Sequence, residues 1–411
     1  MAGVAVIPTL TTTAASSITT TTASSGGNIS SDGGSPVLAR GVCWSTTTGP
    51  LVTGNHTTNG IGTGIFTSNI TGLTNGTTYY VRAYATNGLG TAYGNEINFT
   101  AGVAQDVYVA GYESNGTNYV AKIWKNGVPT SLTNGSSYAV ANAVYVSGTD
   151  VYVVGEESNG TFKVAKVWKN GVATALTNGS FDAAANSIVV SGTDVYVAGG
   201  ESNGTVFVAK VWKNGVATAL TNGTFYAEAW SIYVSGTDVY ASGNEGNGTA
   251  DIAKVWKNGV ATSLTNGNFN AEGNSVFVSG TDVYVAGDES NGSLFAAKTW
   301  KNGVVTALTN GSNDAFAESL VVSGTDIYVA GEEMSGAVYV AKIWKNGVAT
   351  SLTGGTTAAY LHGVYVSGTD VYAVGSETAG TNRVAKIWKN GIPTSLTNGS
   401  NYAEAVSVFV K

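Results

Sequence analysis

The chain has 411 residues, a net charge of −7 and a pI near 4.9, a balance that disfavours a nucleic-acid partner or an anionic membrane surface. A single cysteine, Cys43, excludes an internal disulfide and any cysteine-based zinc cluster, and His56 and His362 are the only imidazoles. Glycine at 56 residues and a charged fraction of 11% would suit a disordered chain, but 43% hydrophobic residues with 9 Trp, 21 Tyr and 11 Phe point to packed β-structure. Val, Thr and Tyr favour strands, and Asn-Gly and Ser-Gly pairs favour the turns between them. No segment has sustained helical periodicity. No apolar run approaches the ~18 residues needed to span a bilayer, so no membrane insertion is expected. The N-terminal stretch MAGVAVIPTLTTTAASS lacks the basic region and apolar core of a secretory signal.

In chain order, the first unit to read is residues 1–101. It contains Arg40-Gly-Val-Cys-Trp44 and the longer run Gly72-Leu-Thr-Asn-Gly-Thr-Thr-Tyr-Tyr-Val-Arg-Ala-Tyr-Ala-Thr-Asn87. These stretches resemble the fibronectin-type-III-like modules of Bacteroidetes surface proteins. The resemblance implies a β-sandwich that serves as a spacer, with Tyr79 at the tyrosine-corner position and Val81 and Ala83 alternating into the core. Asn75 replaces the proline expected after Leu73-Thr74.

From residue 102 onward a different pattern takes over. Repeats open with Asp-[Val/Ile]-Tyr at Asp106, Asp150, Asp194, Asp238, Asp282, Asp326 and Asp370, a constant period of 44 residues. A period in this range indicates a propeller or a solenoid. Each unit reads as four short strands: DVYVAG, VAKVWKNG, VATALTNG and the stretch ending SVYVSG. Lys-Asn-Gly and Ser-Gly-Thr-Asp supply tight hairpin turns. The predicted fold is therefore all-β: the N-terminal sandwich followed by a seven-bladed β-propeller over 102–411. The C-terminal strand would complete the blade begun at Asp106, a 3+1 closure that removes open edges. These repeats also resemble propeller repeats from the same bacterial group or its phages.

One tryptophan per repeat, Trp124 to Trp388, is expected to pack between blades. The invariant Glu (Glu113 to Glu377) and Lys (Lys122 to Lys386) are expected to form an exposed cross-strand pair in every blade.

Repeats within one chain also show which positions vary. Differences concentrate at the residue before the invariant Glu with two others in that hairpin loop, and at the connection into the innermost strand. Both are expected on one rim, where excess carboxylates and aromatics gather. Near the start of the innermost strand the repeats carry Asn142, Asn186, Trp230, Asn274, Glu318, His362 and Val406, which should approach the mouth of the central channel. Trp230 and His362 break the pattern, and alanine at both should weaken binding with little effect on stability. Glu228, Glu272, Phe316, Tyr360 and Glu404 join the candidate ligand-binding residues.

No nucleophile–base–acid constellation, calcium loop or cofactor motif is present, so no catalytic residue, metal or cofactor is assigned. The expected function is non-enzymatic, extracellular or cell-surface recognition of a glycan or protein through the variable rim. The competing expectation is a structural virion or surface-layer component that assembles through the N-terminal module.

Overall fold

The structure, a computed structural model, describes residues 4–102 and 105–411. Every regular element among them is a β-strand, and none is helical. The chain divides into two compact units, Met1–Gln105 and Asp106–Lys411, a few residues beyond the boundary expected from the sequence.

The first unit has strands β1 (Thr9–Ser16), β2 (Thr22–Ser31), β3 (Ala39–Ser45), β4 (Asn55–His56), β5 (Gly64–Thr71), β6 (Thr78–Asn87), β7 (Gly90–Tyr93) and β8 (Ile97–Thr100). One antiparallel sheet has the order β1-β2-β5, and the other β4-β3-β6-β7 with β8 also paired to β6. Alternation along β6 buries Tyr79, Val81, Ala83 and Ala85 with Ile29, Phe66 and Ile70 in one core. The Tyr79 hydroxyl accepts a hydrogen bond from the Thr74 amide at 2.9 Å. Cys43 is buried, and that burial pushes its thiol up to about 11, so it is chemically quiet.

The second unit contains seven four-stranded antiparallel sheets, each ordered inner, second, third and outer strand. The second sheet, for example, runs Ala139–Ser147, Asp150–Ser158, Lys163–Lys169 and Val172–Ala175. In the first sheet the inner strand is Ala403–Val410, which pairs with Val107–Ser114, so the C-terminal strand completes the first sheet. Each inner strand lies against the next, and the series closes where Ala139–Ser147 meets Ala403–Val410. This is a β-propeller architecture.

Local chemistry explains the repetition. In each Lys-Asn-Gly turn both central residues have positive φ, as at Asn126 (51°) and Gly127 (80°), which matches the strand twist. Asn126 Oδ1 accepts from the Val107 amide at 2.9 Å, and its Nδ2 donates to Asp106 Oδ1 at 2.8 Å. Lys125 reaches the other Asp106 oxygen at 2.7 Å. The aspartate that opens every repeat thus pins the third–outer hairpin to the second strand.

The tryptophans fill the junctions between sheets. Trp168 of the second sheet packs on Tyr108, Ala110 and Ala121 of the first, and Trp212 of the third packs on Tyr152, Val154 and Ala165 of the second. The Glu–Lys pairs differ from expectation in one respect: they are not exposed. Lys122 Nζ lies 2.5 Å from Glu113 Oε2, and the two side chains keep only 18% and 19% of their surface. Both residues lie within paired strands rather than at the hairpin tip.

Candidate functional site

The inner strands share one irregularity. In every sheet the register between inner and second strand slips by a residue, between Ala141 and Ala143 in the second sheet and at the matching place in the others. The extra residue is Asn142, Asn186, Trp230, Asn274, Glu318, His362 or Val406. A β-bulge of this kind leaves one residue out of the ladder and re-aims its side chain. Glycine opposite it makes the close approach possible. A Cβ on Gly155 would lie 2.0 Å from the Val140 carbonyl oxygen, and the equivalent glycines meet the same obstacle.

All seven bulge residues line a single central cavity of about 540 Å³, within the roughly 300–1,000 Å³ of typical ligand pockets. Glu228, Lys163 and Phe207 complete its wall. Of the residues singled out from sequence, Glu272, Phe316, Tyr360 and Glu404 do not line it. Phe316 and Tyr360 instead belong to an aromatic run, Phe295–Phe316–Tyr339–Tyr360, with successive ring centroids 5.5, 6.0 and 5.5 Å apart. Arg383 lies over the Tyr360 ring at 3.8 Å.

The sequence places the residue before the invariant Glu in a hairpin loop on the variable rim. It lies within the second strand instead. Glu156, for instance, pairs with Val140 on one side and Ala165 on the other. Its side chain is directed at the neighbouring inner strand, and Glu156, Asp288 and Glu332 are buried, as are Glu228 and Glu404. The carboxylates therefore form an inner layer around the cavity rather than a wet margin.

A further set was missed from the sequence. Ser187, Ser231, Ser275, Ser319 and Ser407 directly follow bulge residues and line the same cavity. Each hydroxyl oxygen accepts the amide of the next inner strand, as Ser275 does from Leu320 at 3.0 Å and Ser231 from Val276 at 3.1 Å. The signal was there, since only Ala143 and Gly363 interrupt it among equivalent positions followed by a further strand residue. It was hidden by the abundance of turn serines.

Glu404 is the most heavily bonded group of the site. It accepts from Arg383 Nη1 at 2.7 Å, Tyr402 Oη at 2.6 Å and His362 Nε2 at 3.2 Å. Burial alone would raise its carboxyl, but the hydrogen bond and charge of His362, with the hydrogen bond of the Tyr402 hydroxyl, hold it at about 2. Burial opposes the charge of His362, yet the hydrogen bond and charge of Glu404, aided by Glu332 and Glu318, raise it to about 9. His362 is thus part of the framework, and the stability-neutral substitution expected from the sequence applies to Trp230 alone.

The other inner carboxyls move the opposite way. Burial raises Glu156 to about 7 against the pull of Lys163. Burial, then the charges of Glu318, Asp251 and Glu228, brings Glu272 to about 7; burial and Glu318 bring Glu332 to about 8. Burial also raises Glu228, Asp288 and Glu318. A carboxyl that binds its proton more tightly when folded contributes stability that is complete below its ordinary value of 4.5 and is lost as pH climbs through 7 to 8. His362 acts in the same direction, its contribution fading as pH rises through about 9. Glu404 acts oppositely, its contribution disappearing as pH falls toward 2. Maximal thermal stability is therefore expected at about pH 4.5–6, with a melting temperature that declines toward pH 8. A scan showing the melting temperature rising from pH 5 to pH 8 would contradict this charge layout.

No protein-family model matches the chain, and no curated protein matches it. Among solved structures it is similar to TolB from Acinetobacter baumannii, with a TM-score of 0.44 and 11% identity over 81% of this chain and 79% of that one. It is also similar to a DUF4784 family protein from Bacteroides caccae, with a TM-score of 0.31 and 10% identity over 98% and 99% of the two chains. Both likenesses are loose, and the propeller architecture is read from the strand pairing itself.

Proposed function

We propose that this chain is a non-enzymatic extracellular recognition protein that binds a glycan or a protein at the cavity mouth of its propeller. In this reading the second unit is a seven-bladed propeller. The first is a fibronectin-type-III-like sandwich acting as a spacer, a view supported by the Tyr79 hydroxyl bonded to the backbone upstream of its strand. One observation carries the functional reading: a bulge in every sheet directs a residue that differs from repeat to repeat into one shared cavity. The Lys-Asn-Gly turns, by contrast, are the same in all seven repeats. A scaffold that holds its turns constant and varies the side chains around one opening is suited to selective binding.

A glycan array probed with the full chain tests this, followed by titration of the best hit against Trp230→Ala. Loss of a central aromatic anchor typically costs at least about 2 kcal/mol, or about 30-fold in affinity. That loss is expected here with little change in melting temperature. Undiminished affinity in Trp230→Ala removes the cavity from the recognition surface.

A further inference from the structure

Donors and acceptors are not equally available around the bulge ring. Asn142 Nδ2 donates to Glu156 Oε2 at 2.9 Å and to the Ala185 carbonyl at 3.1 Å. Asn186 does the same with Glu228 Oε1 (2.8 Å) and the Ala229 carbonyl (3.1 Å), and Asn274 with Asp288 Oδ2 (3.1 Å) and the Ala317 carbonyl (3.2 Å). Both partners are acceptors in each case, so chemistry sets the orientation of the carboxamide and both N–H bonds are spent. Trp230 Nε1 is spent on Asn244 Oδ1 at 3.0 Å, and His362 Nε2 on Glu404.

What the bulge residues themselves still offer is mostly acceptors, while the neighbouring hydroxyls of Ser187, Ser231, Ser275, Ser319 and Ser407, each accepting a backbone amide, keep an O–H to donate. Three carboxamide oxygens remain, together with the carboxylate of Glu318, which has no hydrogen bond or ion pair to the described residues. His362 Nδ1 is the one further side-chain donor among the bulge residues. The cation in the wall, Lys163, is already paired with Glu156 at 3.6 Å, and Arg383 of the seventh sheet is committed to Glu404. A guest that brings hydrogen-bond donors and positive charge therefore matches Glu318 and the carboxamide oxygens, and any acceptors it carries can meet the serine hydroxyls. Trp230 adds an aromatic face, which favours a cation or the C–H face of a ring.

We infer that the cavity takes a glycan unit with a free primary amine, an unacetylated amino sugar. Its ammonium sits on Glu318, its hydroxyls on the carboxamide oxygens, and its ring face on Trp230. This rests on the recognition reading above and narrows it to one ligand class. An amino sugar suits the ring better than a lysine side chain does, because separate fixed acceptors call for several donors on one small rigid body. A lysine tip presents all its donors at a single nitrogen.

Calorimetric titration of the full chain at pH 7 tests the assignment with three probes: a β-1,4-linked glucosamine trisaccharide, its fully N-acetylated counterpart, and a lysine tripeptide. The free-amine sugar is expected to bind at least about tenfold tighter than the acetylated one, the effect of one charge-assisted hydrogen bond. Glu318→Gln should abolish that preference while keeping the fold, since the two side chains have the same shape. If that variant fails to fold, the comparison of the two sugars on the unaltered protein decides alone. Equal binding of both sugars, lost in Trp230→Ala, overturns the amine assignment but leaves recognition at the cavity in place. Tighter binding of the lysine tripeptide overturns the sugar in favour of a protein ligand. Silence from all three overturns the proposal, and the array result then stands as the separate test of recognition.

Discussion

Glu404→Ala is expected to lower the unfolding free energy of the propeller by about 3 kcal/mol, because removing one partner of a buried ion pair strands the others. The lower end of the usual 3–5 kcal/mol range applies, since Arg383 and His362 keep 29% and 28% of their side-chain surface. The substitution matters for where it lies. Glu404 sits on the C-terminal inner strand, whereas Arg383 and His362 sit on the seventh sheet, Ala359–Ser367, Asp370–Ala379, Asn382–Lys389 and Ile392–Ser395. Every other ion pair among the described residues stays within one sheet. The junction between the seventh sheet and the C-terminal strand is therefore the one with ion pairs across it. Urea denaturation should show the loss, and hydrogen exchange should show residues 403–410 opening before the other inner strands. Lys125→Ala, which cuts an exposed pair at the opposite turn, should change little. An unaltered midpoint for Glu404→Ala would show that the C-terminal strand is held against the seventh sheet without this clasp.

The second large effect is at the sheet junctions. Trp212→Ala is expected to cost about 3–5 kcal/mol, the usual range for truncating a buried large aromatic. Trp212 is fully buried, and its neighbours Ala165, Ala183 and Ala185 are too small to move into the space it leaves. Trp230→Ala, the same chemical change at a half-buried cavity wall, should cost far less. Denaturation curves of the two variants side by side separate the roles, and equal losses would mean that Trp230 is core rather than wall.

Much of this architecture is legible in the sequence, for reasons that can be named. A period of 44 residues with Asn-Gly at a constant offset marks the hairpins, since that pair readily takes the left-handed conformation a two-residue turn needs. The all-β character and the propeller follow from four such strands per repeat. The identity of the residues ringing the cavity could also be read, because Asn, Trp, Glu, His and Val at one repeat position are unusual beside constant neighbours. Their mechanism could not. A bulge is a matter of register between strands, and spacing along one chain does not record register. The same blindness placed Glu156, Asp288 and Glu332 in a loop: a variable position beside a turn looks like a loop when its pairing partner is unseen. The donor accounting that singles out Glu318 needs distances across neighbouring sheets, which no single repeat contains.

The bulge has a consequence for how this chain can change over generations. A residue outside the hydrogen-bonded ladder can be exchanged without disturbing strand pairing, and five kinds of side chain already occupy the same backbone position here. Selectivity can therefore drift one repeat at a time, with foldability insulated from the search. A combinatorial library confined to these seven codons should yield mostly folded members, and new specificities could be selected from it without redesigning the scaffold.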